Sequence, residues 1–496
     1  MKVLLINPKA TQFNRRRKAP SVPLGLLAIA SYIKKEGHTV QIVDLTVKPE
    51  NIEKHLKRFS PDVVGVSYSS TLVGNSAVKV SKAAKKYGKP VVWGGHMASV
   101  LTELCFREGC VDYIVMGEGE ITFNELLDTL ENGGSFYDIS GLAFLDKDGV
   151  HINEHREFAD LAEFPALDWS LLNPVEYSQV YFHCSRMVYL YFSKGCPAKC
   201  TFCYSPKYHR CTHRRRPPEQ LVDEIEYLVN RCGIDGINFA DELWNPGTED
   251  MQTFFRLIKE RNLRFVWGCQ TRLGVFGKEE LRQMHDAGCR WILFGIESGS
   301  KERLKEVKKG INLDKAKETI DHCREIGITT QSSFIIGYPG ETREELKETV
   351  RFAMSLNANM CPLNVCFLQP GSEMFDAATA AGQYIPPKNL KEWDKLQCDE
   401  YSGKTLSRVP MKELLVLHFY AQWLGFSRKE SVGSDSYGVA KQLAVQAVKN
   451  MFKLSPDNFF LGFFTSAKQF FTVVWYAKAY PKILKKYGLY KHKSGK

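Results

Sequence analysis

Three cysteines, Cys196, Cys200 and Cys203, fall within eight residues in the stretch Ser193-Lys194-Gly195-Cys196-Pro197-Ala198-Lys199-Cys200-Thr201-Phe202-Cys203. Spaced C-x3-C-x2-C on a loop with Gly and Pro, they can turn their sulfurs toward one point, and thiolates are the usual protein ligands of iron–sulfur clusters. Zinc asks for four ligands, typically as two C-x2-C-like pairs, and no second pair follows. A four-iron cluster held by three thiolates keeps one iron free of protein, and that iron can bind a small molecule. The other eleven cysteines are scattered and none repeats the spacing. Cys269 and Cys366, near strand ends, read as core residues.

The elements that must position this loop follow a regular plan. An apolar strand, Val188 to Phe192, feeds the cysteines, and from there to about Gly371 six strand-then-helix units can be counted, with strands ending at Phe192, Asp241, Thr271, Ser298, Tyr338 and Phe367. Six units predict an open partial (β/α)6 barrel over 188–371, whose chemistry gathers at the carboxyl ends of its strands. Those ends carry Asp241-Glu242, Gln270-Thr271-Arg272, Gly295-Ile296-Glu297-Ser298 and Gly337-Tyr338-Pro339-Gly340-Glu341-Thr342. Carboxylates accept from ribose hydroxyls, arginine pairs with a carboxylate, and bare glycine backbone can edge an adenine, so the rim suits a zwitterionic, ribose-bearing ligand. Glu242, Gln270 and Arg272 are candidate contacts.

Residues 1–145 alternate strand-like and helix-like segments, which predicts an α/β, doubly wound parallel sheet with ligands beyond its strand carboxyl ends. There lie Ser67-Tyr68-Ser69-Ser70-Thr71, Gly94-Gly95-His96 and Gly117-Glu118-Gly119-Glu120. Glycines admit a large ligand to the backbone, and hydroxyls and carboxylates bond it. No Gly-x-Gly-x-x-Gly follows the first strand, which disfavours a dinucleotide. Residues 146–187 lose periodicity and read as a linker, and 372–496 as a helical C-terminal domain or lid.

Composition sets bounds. A chain of 496 residues holds two to four domains. Its net charge of +11 comes without a nucleic-acid recognition motif, and much of it lies in local runs, of which Arg15-Arg16-Arg17-Lys18 and Arg214-Arg215-Arg216 read as solvated loops. The start has no signal-peptide pattern, so a cytoplasmic protein with reduced thiols is expected. The end is aromatic from Asn458 to Tyr476 and basic beyond Lys478. Lys468 and Gln469 break the apolar run, so the segment is a candidate for peripheral contact with an anionic membrane, or equally for a lid on the barrel.

The triad Cys196-x3-Cys200-x2-Cys203, with aromatic Phe202 before its third cysteine, resembles the signature of radical S-adenosylmethionine enzymes. The first module, with Pro23-Leu24-Gly25-Leu26 opening its first helix, resembles the cobalamin-binding domain that precedes many of them. The resemblance implies a [4Fe-4S] cluster on the three cysteines, S-adenosylmethionine chelated at the open iron, and cobalamin. It implies that Glu297 and Ser298 meet the ribose or methionine region, that Ile336 and Gly337 meet adenine, and that Phe202 packs near it. For cobalamin it implies contacts from Ser67, Ser69, Ser70, Thr71, Leu72, Gly94, Gly95, His96, Gly117, Glu118, Gly119 and Glu120. Asp-x-His-x-x-Gly, which supplies a lower histidine to cobalt elsewhere, is absent. Thr71, Leu72 or Val73 is then the residue expected under the cobalt, and His96 a contact to the corrin rim or nucleotide tail. The implied reaction is methylation of an unactivated carbon or phosphorus by way of methylcobalamin and a 5′-deoxyadenosyl radical, on a small-molecule or peptide substrate, with a low-potential donor of flavodoxin or ferredoxin type. The alternatives are a non-methylating outcome, such as oxidative ring closure of a porphyrin ester, and a cobalamin-binding sensor or electron-transfer protein.

Overall fold

The computed structural model describes residues 1–9, 20–398, 405–427 and 482–487. Two sheets, each wrapped by helices, face one another. The first contains β1 (Lys2–Asn7), β2 (Thr39–Asp44), β3 (Val63–Ser67), β4 (Val91–Gly94) and β5 (Tyr113–Val115), all parallel, then the antiparallel β6 (Leu142–Asp146) and β7 (Gly149–Ile152), in the order β2-β1-β3-β4-β5-β6-β7. Because β1 is covered on both faces, Val3, Leu4, Leu5 and Ile6 are all buried and the strand reads as a continuous apolar run. Val3 and Leu5 pack under the helices Leu24–Lys35 and Glu120–Asn132, while Leu4 and Ile6 pack on the opposite layer with Ala77 and Val80 of the helix Gly74–Lys86.

Short β8 (Gln179–Tyr181) pairs antiparallel with β9 (Cys184–Leu190), and β10 (Ser193–Gly195) pairs antiparallel with β11 (His213–Arg215) as a separate ribbon. The second sheet continues through β12 (Gly236–Phe239), β13 (Val266–Thr271), β14 (Cys289–Glu297), β15 (Thr329–Ile336) and β16 (Leu363–Val365). From β9 to β16 every pairing is parallel, which makes a curled half-barrel. Along β15, Thr330, Ser332, Phe334 and Ile336 are buried and their neighbours half-buried, the period of two that separates the helix-covered face from the concave one. Thr342 starts the helix Arg343–Ser355 with a capping box: its hydroxyl accepts from Glu345 N and the Glu345 carboxylate accepts from Thr342 N.

Three features depart from the sequence reading. The strand before the cysteines ends at Leu190, because the Asp241 carboxylate draws Phe192 N (3.1 Å) and Ser193 N (2.5 Å) off the ladder and the chain restarts as β10. The first sheet runs on to Ile152 through a hairpin at Asp146-Lys147-Asp148-Gly149, whose turn chemistry signals it. The run Arg214 to Arg216 is not a solvated loop: Arg214 pairs with Glu118, and Arg216 is 3% exposed and pairs with Glu224. Arg15 to Lys18 lie outside the described residues, as does all but 482–487 of the aromatic and basic tail. Of the C-terminal helices, Phe375, Leu390 and Trp393 pack into the first module, whereas Leu414, on Met411–Ser427, packs against the half-barrel. Among the described residues no helix is long and apolar enough to cross a membrane.

Candidate cofactor site between the two sheets

The strand carboxyl ends of the first sheet and, from the half-barrel, the segments after β9 and β12 open onto one cleft of about 670 Å³. The first sheet contributes Ser67, Ser69, Gly94, Gly95, His96, Gly117, Glu118, Gly119 and Glu120; the half-barrel side contributes Tyr191, Lys194, Tyr204, Tyr208, His209 and Glu242. From the shared mouth the cleft runs down into the first module between Leu5, Ile29, Gly65, Val92, Val115 and Phe123. Glycine keeps this slot open: a Cβ on Gly65 would stand 2.6 Å from Leu5 Cδ2, and one on Gly119 would stand 3.0 Å from Ile29 Cδ1. Gly95, at φ +101°, lies so close to Tyr68 backbone that a side chain would be both crowded and strained.

His96 sits at the mouth with its ring 4.0 Å from that of Tyr204 and 5.3 Å from that of Tyr208. Its Nε2 is buried without a partner, and burial holds its pKa down at about 4, so the imidazole is neutral and offers one free nitrogen to a ligand. Ser70, Thr71 and Leu72 do not line the cleft. Ser70 caps the short turn Thr71–Val73, Thr71 is 1% exposed, and the adjoining Asn75 bonds to Asp394 of the helix Leu390–Cys398.

Around the cysteines, β10 and β11 form the base of the loop. Gly195, at φ +87°, leaves no room for a Cβ, which would meet Thr212 O at 2.4 Å. Its N–H donates to Glu242 Oε2 at 3.0 Å. Beyond it, Ser205 N donates to Cys203 Sγ at 3.4 Å and Arg272 Nη1 approaches Cys200 Sγ at 3.9 Å. Burial raises the Cys196 thiol and pushes the Cys203 thiol up to about 11, so ligation must release their protons. Among the described residues, no three His, Cys, Asp or Glu side chains are grouped to hold a single metal ion. A four-iron cube asks instead for three thiols at separate corners, one per iron.

The other rim residues divide by how far the fold has already occupied them. Glu297 adopts φ +72°, rare for a side chain that is not glycine, and its carboxylate holds Lys309 at 3.1 Å. Gln270 donates to Asp241 O at 2.6 Å. Ser298 is fully buried, with its hydroxyl 3.0 Å from that of Thr349 and accepting from Ser300 N, so it serves the fold. Ile336 is buried beneath the rim, and Gly337 (φ +84°) donates its N–H to Glu341 and packs under Leu414, whose Cδ1 a Cβ would meet at 2.7 Å. Phe202 brings the cysteine loop within 6.1 Å, ring to ring, of Tyr338 in that turn.

The mouth also holds residues that the sequence reading did not single out. Lys194 donates to Glu120 at 2.7 Å and lies 3.7 Å from Glu118, which Arg214 also grips. His209 stands 3.8 Å from Glu118 and 3.4 Å from Glu242, and Tyr208 donates to Gly117 O at 2.8 Å. Burial opposes the charge on Lys194, but Glu120 and Glu118 outweigh it and its pKa is raised. The only signal in sequence was position: these groups follow or flank the cysteines on a basic, aromatic stretch.

Two parallel sheets meeting at one cleft, with a cluster-type thiol triad on the loop that begins just past the cleft residue Lys194 and a glycine-floored slot under the first sheet's strand ends, define an α/β enzyme built to hold cofactors. Residues 14–127 match the family model of the B12 binding domain and 190–353 that of the radical SAM superfamily. The chain is 31% identical over 388 residues to an uncharacterized methyltransferase of Pyrococcus horikoshii, a match covering 77% of this chain and 83% of the relative. It is 28% identical to cytidylyl-2-hydroxyethylphosphonate methyltransferase of Streptomyces wedmorensis, over 78% of this chain and 84% of the relative. Among solved structures, the cobalamin-dependent S-adenosylmethionine radical enzyme OxsB, with aqua-cobalamin and S-adenosylmethionine bound, superposes with a TM-score of 0.70 at 17% identity, covering 97% of this chain and 71% of that one. The chain belongs to the cobalamin-dependent radical S-adenosylmethionine enzymes, and its cofactors are a [4Fe-4S] cluster, S-adenosylmethionine and cobalamin. The residues present fit them: three thiols for the cluster, and for the corrinoid a deep slot with a neutral histidine at its mouth.

Proposed function

We propose that the enzyme methylates an unactivated carbon or phosphorus centre of a small-molecule or peptide substrate. The observation that carries this reading is the cleft that the first sheet's strand ends share with the segments after β9 and β12, next to the cysteine loop, since a methyl donor and a hydrogen-abstracting centre must reach the same substrate atom. Support comes also from the two methyltransferase relatives. When bound, the cluster supplies the electron that cleaves S-adenosylmethionine and the corrinoid supplies a transferable methyl group.

The chain's own residues hold and shield. Cys196, Cys200 and Cys203 carry the cluster. Arg272, beside Cys200, is placed to pair with the methionine carboxylate, and Glu297 and Glu242 to accept from amino or hydroxyl groups. Phe202, 6.1 Å from Tyr338 ring to ring, would stand on the adenine side of the site. Ser67, Ser69, Gly94, Gly95, Gly117 and Gly119 would line the site of the corrinoid, and His96 would offer it an unpartnered nitrogen. A low-potential donor of flavodoxin or ferredoxin type would serve the cluster as reductant.

The test is anaerobic incubation of reconstituted protein with S-adenosylmethionine and a reductant. Formation of 5′-deoxyadenosine together with S-adenosylhomocysteine supports methylation. 5′-Deoxyadenosine alone points to a non-methylating reaction such as ring closure, and neither product refutes both.

A further inference from the structure

The cysteine loop is tied to the cobalamin-binding module by charged side chains that pair with one another across the two sheets. Lys194 stands two residues before Cys196, in β10, and reaches across to Glu120 at 2.7 Å and Glu118 at 3.7 Å, which follow β5 of the other sheet. Its ammonium also lies 5.6 Å from the Phe164 ring and 5.5 Å from the Tyr191 ring, which leave its side chain 18% exposed at the cleft. The next residue is fixed as well: Gly195 N bonds to Glu242, whose other oxygen faces His209, which in turn faces Glu118. A chain of polar contacts thus runs from the loop that walls the corrinoid slot to the backbone that starts the thiol triad.

A largely buried ion pair of this kind is a poor way to gain stability, because desolvation offsets the attraction; what it does confer is a single register. We propose that Lys194, gripped by Glu118 and Glu120, is a positioning residue that sets the cysteine loop against the cobalamin-binding module and so fixes the separation of the two reaction centres. This rests on the cofactor assignment above only for its consequence; the joint itself belongs to the bare chain. Glu118 and Glu120 therefore serve the joint as well as the wall of the cleft.

The test is amide hydrogen exchange on the full-length, metal-free protein, comparing Lys194→Met, Lys194→Arg and Glu120→Gln with the parent. Removing the charge should speed exchange of residues 195–203 and 117–120 by about tenfold, while Lys194→Arg, which keeps the charge, stays within about twofold. Parent-like exchange over 195–203 in Lys194→Met overturns the proposal. If that variant does not fold, Glu120→Gln, which keeps size, carries the test: faster exchange at 195–203, across the module boundary, supports it, and a change confined to 117–120 overturns it. In protein loaded with both cofactors, magnetic coupling between the cobalt(II) and reduced-cluster EPR signals should be uniform in the parent and Lys194→Arg and heterogeneous in Lys194→Met. Uniform coupling in all three also overturns it, whereas a parent that binds no corrinoid refutes the cofactor assignment and leaves the exchange result standing.

Discussion

Glu341 lies in the turn after β15, fully buried, with Oε2 accepting from Gly337 N at 2.5 Å and Oε1 without a partner. Burial pushes its pKa from an ordinary 4.5 to about 7, against the opposing pull of the Gly337 N–H and of Arg303. A carboxyl whose folded pKa is raised binds its proton more tightly in the native state. Its contribution to stability is therefore complete below pH 4.5 and is lost as pH rises through about 7. At about 1.4 kcal/mol per pKa unit, the loss across that window is on the order of 3 kcal/mol. In Glu341→Gln the amide oxygen can still accept from Gly337, but nothing titrates. Urea midpoints measured between pH 5 and pH 8 should show the parent losing up to about 3 kcal/mol relative to the variant as pH rises, with the variant the flatter profile. Parallel profiles, whatever their offset, would refute the reasoning, because they would mean that folding does not shift the Glu341 pKa.

Cys200→Ala should abolish the visible absorbance of the cluster and leave corrinoid binding largely intact, since the slot is built from the other sheet; loss of both would show that the modules are not separable. Gly119→Ala places a methyl 3.0 Å from Ile29 Cδ1 and 3.2 Å from Val115 Cγ1, so corrinoid affinity should fall, with about 1–3 kcal/mol of stability, in an absorbance titration; unchanged affinity would remove Gly119 from the slot. Arg216→Met strands the buried Glu224, which would keep only the Leu167 N–H at 2.7 Å, and should cost about 3–5 kcal/mol by thermal unfolding. Arg216→Met combined with Glu224→Leu should recover much of that loss, and no recovery would mean that Arg216 acts by packing alone.

How far the sequence reaches can be judged residue by residue. The thiol triad is legible because its spacing is local, and the strand ends because apolar runs stop at polar turns, which put Glu242, Gln270, Arg272 and Glu297 at or just past the ends of β12, β13 and β14. Periodicity also carried the two sheets and most helices. It did not reveal the hairpin β10–β11, because three residues from Ser193 give no period to read, and the bend depends on Asp241, some fifty residues on. Arg214 to Arg216 looked solvated, since a charge run shows no partner until folding brings Glu118 and Glu224 beside it. Ser298 looked available for the same reason, and only packing against Thr349 turns its hydroxyl inward.

The sequence by itself determined which chemistry this protein can do: three thiols close in the chain, and glycines and carboxylates at successive strand ends, are set by covalent order and by the propensities of short segments. Tertiary structure alone decided where that chemistry happens. Lys194 meets Glu118 and Glu120, His96 lies against Tyr204, and the two sheets meet at one cleft because they bury their apolar faces under helices and leave only their polar edges to meet. Contacts between residues far apart in the chain are fixed by that burial, which no local pattern encodes.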